Sequence, residues 1–214
     1  MAVAPGDPCL LVLVAMVAIV DILDYWFGAA PDDPATAKAK AALWWGRSEA
    51  TDAELHERFG ATHEAAAAGQ RDGWAAIAEG RVALVVVLDQ LSRNLHRGTP
   101  RAFAQDPAAR SLALAAVEQG EDRSCPFFHR VFLYLPFEHS ERLADQERSC
   151  RSFEQLRADC SEPLREAARM YLQFARAHRD IVARFGRFPH RNAILGRPSS
   201  AEELRFLEQP GSGF

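Results

Sequence analysis

The chain has 214 residues, 48% of them hydrophobic, which is enough for one continuous core. A formal charge of −4 and a pI near 6.0 give no global attraction to nucleic acid or to an anionic membrane, so neither is expected as a partner. Four cysteines, Cys9, Cys125, Cys150 and Cys160, have no CxxC spacing and are expected as free thiols in a reducing, cytoplasmic compartment.

The apolar run from Cys9 to Val20 has no basic residue ahead of it, as a signal peptide would, and Asp21 and Asp24 arrive before a membrane span of about twenty residues could be completed. Residues 1–18 are therefore expected as a buried helical extension or the product of a start codon placed too early, and 19–214 as a single all-α domain. A first helix carries Val17, Val20, Leu23 and Phe27 at spacings of three or four and stops at Gly28. Thr51 with Glu54 reads as the capping box of a helix bearing Leu55 and Phe59.

Arg81 to Leu95 contains no turn residue and is too long for an ordinary strand, and its apolar residues surround a helix on every side until Asp89. This predicts a central, buried helix ending in the polar group Asp89, Gln90, Arg93 and Asn94. Asp106 before Pro107 reads as a helix start and Gly120 as its stop. Phe128, Phe132, Leu135, His139, Leu143, Gln146, Cys150 and Phe153 follow at three-to-four spacing, as one face of a helix kinked at Pro136. The kink should free a carbonyl close to the inward-facing His139 and Gln146.

A long helix from about Pro163 to Phe185 places Ala167, Tyr171, Phe174, His178, Ile181 and Phe185 on one face and arginines on the other. Eight arginines between 163 and 200 face only Glu166 and Asp180 within that segment, so they should pair with the acidic stretch from Glu138 to Glu162 or hold an anionic ligand. Phe188 to Asn192 forms a polar turn after Gly186, and Ser199 and Ser200 ahead of Glu202 and Glu203 start a short last helix.

Polar residues embedded in apolar stripes must find partners, since an unpaired buried polar group costs about 1–3 kcal/mol. The candidate site therefore comprises Asp89, Arg93, Asn94, Glu138, His139, Gln146, His178, Arg184, His190, Arg191 and Asn192, with His139 or His178 expected to bond a residue from another cluster. His139, His178 and His190 with Asp89 or Glu138 could ligate a metal, but no spacing singles one out, so no metal is assigned and no cofactor is indicated. His178-Arg179-Asp180 lacks the Asn and the glycine-rich loop of a kinase, and there is no HExxH or P-loop.

Five strings, Ile22-Leu-Asp-Tyr-Trp-Phe-Gly28, Leu88-Asp-Gln-Leu-Ser-Arg-Asn94, Phe132-Leu-Tyr-Leu-Pro-Phe-Glu-His-Ser-Glu141, Asp145-Gln146 and the run from His178 to Asn192, resemble the bacterial domain-of-unknown-function family 924 from about Ile19 onward. The lead before Asp21 and the stretch from Lys38 to Arg47 depart from the family's pattern. The resemblance implies a TPR-like α-α superhelix built from antiparallel helix pairs, and it carries no activity. By analogy with that architecture the expected function is a binding module for a peptide or small anionic ligand, without nucleic acid or membrane partners. The alternative is an enzyme, hydrolase-like and possibly metal-assisted, in which His139 or His178 acts as acid or base beside Asp89 or Glu138, with Arg93, Arg184 or Arg191 on an anion. A binder should spread these residues along an outer groove, whereas an enzyme should gather them.

Overall fold

The computed structural model describes residues 8–212, with side chains from Val12 onward; the earlier part of the expected N-terminal extension and the side chain of Cys9 lie outside the described residues. Every regular element among them is helical, as the periodicity predicts. Helix α1 (Pro8–Phe27) stops at Gly28, whose φ of 74° needs no Cβ to be accommodated. Its buried face is Ile19, Ile22, Leu23, Trp26 and Phe27. Val17 and Val20, expected inward, are exposed, as are Val12, Leu13 and Val14, so no residue of α1 from Val12 to Ala18 is buried. The inward stripe is rotated because Trp26 and Phe27 anchor it, each packed edge-on against Phe132.

Helix α2 (Pro34–Trp45), capped by the Asp33 side chain, brings Trp44 into that aromatic cluster, and the Trp44 indole donates to the Trp26 carbonyl at 2.9 Å. Helix α3 (Glu49–Ala67) buries Leu55 and Phe59 as expected, but its cap is Ser48, which accepts from Thr51 N; the helix therefore begins ahead of Thr51. No helix among the described residues is long and apolar enough to cross a membrane.

The central helix is α4 (Ala78–Val85), continued by a π-helical turn over Val86–Leu91 and then α5 (Ser92–Leu95). Every residue from Gly80 to Ser92 is buried, the all-round burial that the absence of a polar face required. Glycine at 80 is a packing necessity, since a Cβ there would lie 2.1 Å from the Trp74 carbonyl oxygen. Helix α6 (Asp106–Gln119) ends at Gly120.

The continuous helix expected from Phe128 to Phe153 is two helices, α7 (Phe127–Glu138) and α8 (Leu143–Asp159), separated by a turn at 139–142. Pro136 sits inside α7 and the break follows it, at His139. Gln146 makes the break tolerable: its side-chain amide donates to the carbonyls of Glu138 and Ser140, both at 2.6 Å, satisfying groups that the end of α7 would otherwise orphan.

Helix α9 (Arg165–Phe185) packs antiparallel on α8 across a short link, with Phe153 stacked on Tyr171 and Arg176 paired with Glu154. Its buried face runs through Ala168, Tyr171, Leu172, Ala175, His178, Ile181 and Val182, leaving Phe174 exposed. Each of the eight arginines between 163 and 200 has a carboxylate partner, including Arg165 with Glu162, Arg197 with Glu141 and Arg187 with Glu203. Helix α10 (Ala201–Leu207) opens with a reciprocal capping box between Ser200 and Glu203.

Candidate functional site

The site is centred where the π-helical turn of the central helix meets the end of α7. A π turn inserts one residue, which rotates everything after it by about 100° relative to a regular helix. That insertion lies at Val86–Leu91 and carries Asp89, whose side chain is fully buried. Asp89 Oδ1 receives His139 Nδ1 at 2.8 Å and lies 3.1 Å from Arg93 Nη1, while Gln90 Nε2 donates to Oδ2 at 2.5 Å.

Burial alone would raise the Asp89 carboxyl, but the Arg93 guanidinium and His139 outweigh it and hold it well below the usual carboxylate range. His139 is lowered, by burial first and then by the Arg93 cation. The two shifts pull in different directions on whether His139 is charged. Arg93 already neutralises Asp89, so an imidazolium would recover too little attraction to offset its desolvation, and the neutral ring follows. An ionised carboxylate only accepts, so Nδ1 carries the proton and Nε2 is the basic nitrogen, on a side chain 16% exposed.

Arg93 Nη1 also donates to the Asp89 carbonyl, and its guanidinium holds Asp106 through two bonds of 3.0 and 3.3 Å. Asp106 was expected as a helix cap; its carboxylate instead joins the site, because α6 begins beside the end of the central helix. Arg191 reaches the same Asp106 at 3.4 Å, with its guanidinium 4.6 Å from the ring centres of both Phe103 and Phe188. Arg191 Nε is buried without a hydrogen-bond partner. Burial, and then the neighbouring Arg93, lower Arg191 to about 10.

Glu138 and His178 form the adjoining wall, with Glu138 Oε1 3.2 Å from His178 Nδ1. That nitrogen also bonds the Phe174 carbonyl at 2.9 Å, as its donor. Burial and then the Asp89 charge push Glu138 up to about 8, so it is a neutral acid at pH 7. Burial drives His178 down to about 3. His190, packed against Phe188, is lowered to about 4 by burial and then by Arg191.

Asp89, Arg93, Glu138, His139, His178, His190 and Arg191 therefore gather, but other expected members do not. Asn94 faces α3 and bonds Asp52, which Arg97 also holds. Arg184 is half-exposed and pairs with Glu202, because its position on α9 points away from the core. Gln146 is committed to the end of α7, and Asn192 bonds Ser199 and Arg197, fixing the turn that presents Arg191. Gln90 belongs to the polar group expected at the end of the central helix, although the candidate site left it out; Asp106, expected only as a helix start, and Phe103 carried no sequence signal that placed them here. Among the described residues, His139, His178 and His190 do not set nitrogens and a carboxylate within metal-ligand reach of one another.

No curated protein matches the chain. A solved structure described as a protein of unknown function from Agrobacterium tumefaciens is similar to it, with 40% sequence identity over 91% of this chain and 98% of that one and a TM-score of 0.76. Residues 22–211 match the family described as "Bacterial protein of unknown function (DUF924)". The chain belongs to that family.

Proposed function

We propose that the Asp89–His139 pair is the base of an acid–base enzyme acting on a small anionic substrate, with Glu138 as the acid and Arg191 as the anion anchor. The observation that carries this reading is the 2.8 Å bond from His139 Nδ1 to Asp89 beside a second carboxyl pushed up to about 8. Neighbouring groups held in opposite protonation states are what general acid–base chemistry at neutral pH needs. In this reading Nε2 of His139 takes a proton from water as it attacks, and the Glu138 carboxyl supplies one to the leaving group. Arg191 binds the substrate's anion, for which it has an unused Nε donor between two aromatic faces.

A second reading rests on Arg191 alone. Antiparallel pairs such as α8 and α9 are the unit of a TPR-like superhelix, and in that architecture the same cluster would retain a small anion, or the acidic group of a peptide, without turnover.

A thermal-shift screen of small carboxylates and phosphates against wild type, His139→Asn and Arg191→Met, followed by product detection by NMR, tests both. The asparagine amide can still donate to Asp89 but has no basic nitrogen. The enzyme reading expects a hit that stabilises wild type and His139→Asn but not Arg191→Met, and is converted only by wild type. A ligand bound but unconverted by wild type would support the binding module instead, and a hit indifferent to Arg191 would sink both.

A further inference from the structure

A second polar cluster lies where the end of α3 packs against the end of the central helix. His63 and Glu64 stand in the last turns of α3, and His96 follows α5. Their side chains line a cavity of about 230 Å3 together with Arg101 and Gln105. His63 is only 2% exposed, yet its Nδ1 has no hydrogen-bond partner, and neither has the buried Nε2 of His96.

The tautomer of His63 follows from its neighbour. Ser92 Oγ donates its one proton to the Leu88 carbonyl at 2.6 Å, so at 2.8 Å from His63 Nε2 it can only accept. Nε2 therefore carries the hydrogen and Nδ1 presents a lone pair to the cavity. A ring nitrogen oriented by a hydrogen bond at the opposite nitrogen is the usual arrangement behind a metal-ligating histidine.

Glu64 Oε1 is 4.0 Å from His63 Nδ1 and 3.9 Å from His96 Nε2, and all three ligand atoms lie within 4.8 Å of one another. Tetrahedral ligation with bonds of about 2.0–2.1 Å places ligand atoms roughly 3.3 Å apart, so the glutamate contacts need to shorten by little more than half an ångström and the two imidazole nitrogens by up to about 1.5 Å. Glu64 is 60% exposed, so its side chain has room to make that adjustment once Arg101 releases it.

We propose that His63, Glu64 and His96 bind a divalent transition-metal ion of the zinc type, with further coordination positions opening into the cavity. Two imidazoles and one carboxylate suit zinc, cobalt or iron(II) and not magnesium or calcium, which take oxygen ligands. Arg101 opposes the ion: it holds Glu64 Oε1 at 2.7 Å and adds a positive charge at the mouth. Its side chain is 60% exposed, so it can leave when the ion arrives. This site is separate from the Asp89–His139 pair and does not depend on its function.

The full-length protein, stripped with chelator and dialysed, is titrated with cobalt(II) by absorption spectroscopy and with zinc(II) by calorimetry. The expected result is one equivalent bound with the weak visible bands of nitrogen and oxygen ligands and no thiolate charge-transfer band. His96→Ala and the exposed-site variant Glu64→Gln should each weaken binding by more than the ~10–100-fold typical of losing an outer hydrogen-bond partner. Arg101→Ala should tighten it. Circular dichroism checks the fold of each variant, and Glu64→Gln, altering an exposed side chain, keeps the test open if His96→Ala misfolds. A thiolate band, binding weaker than millimolar, or unchanged affinity in Glu64→Gln would overturn the assignment.

Discussion

Glu138→Gln isolates the acid of the site in one isosteric step. The Glu138 carboxyl has an ordinary value of 4.5 and is pushed up to about 8 in the folded protein, by burial and then by Asp89. The native state thus holds the proton more tightly than the unfolded chain. The stability of the protonated form is fully present below 4.5 and is lost as pH rises through 8. Integrating 1.36 kcal/mol per pH unit gives a loss of roughly 3 kcal/mol by pH 7 and roughly 5 kcal/mol at the upper plateau. Glutamine does not titrate, so the variant escapes this loss while wild type does not. Urea unfolding of both proteins from pH 4 to pH 9 should show a stability gap in favour of Glu138→Gln that opens above pH 4.5 and levels off above pH 8. Other titrating groups are common to both and largely cancel in the difference. A gap independent of pH would mean that Glu138 ionises normally in the fold and would remove it as the acid.

Three further substitutions probe the surroundings. Val86→Asp, at a position with no exposure in the π-helical turn, should give no soluble, cooperatively unfolding protein, as judged by expression and thermal melting. Gln146→Leu should cost about 2–3 kcal/mol in denaturant unfolding, because the carbonyls of Glu138 and Ser140 lose their donor; a cost under about 0.5 kcal/mol would show that water replaces it. Arg191→Met exchanges a buried guanidinium, 7% exposed and tied to Asp106 only at 3.4 Å, for an apolar chain of similar length. Calorimetric melting should find its stability unchanged or raised, whereas a loss of about 3 kcal/mol or more would mark Arg191 as a structural ion-pair member and not a ligand anchor.

What the sequence made legible was governed by local rules. Gly28, Gly120 and Gly186 stop helices because each adopts a left-handed backbone, and Ser200 with Glu203 begins one because the two caps satisfy each other. The meeting of Asp89 with His139 was foreseeable as a type of event: polar groups inside apolar stripes have to find one another. Gln146 found the freed carbonyls for the same reason. The break between α7 and α8 was hidden because the apolar spacing runs on across it, from Leu135 through His139 to Gln146. The π-helical turn left no sequence mark, being a matter of hydrogen-bond register. Arg184 and Asn94 were misplaced because the rotation of a helix about its axis, not its periodicity, decides which polar residues face inward. Asp106 was concealed by its own motif, an aspartate before a proline that reads as a cap and serves as a partner for two arginines.

The central claim is that Asp89 fixes His139 as a neutral ring with a basic nitrogen available for chemistry. Nitrogen-15 NMR of the His139 ring across pH 5 to 9 measures this directly. At neutral pH the account predicts Nδ1 protonated, coupled by its hydrogen bond to Asp89, and Nε2 bare. A proton on Nε2 at pH 7, in either the opposite neutral tautomer or the imidazolium, would contradict it.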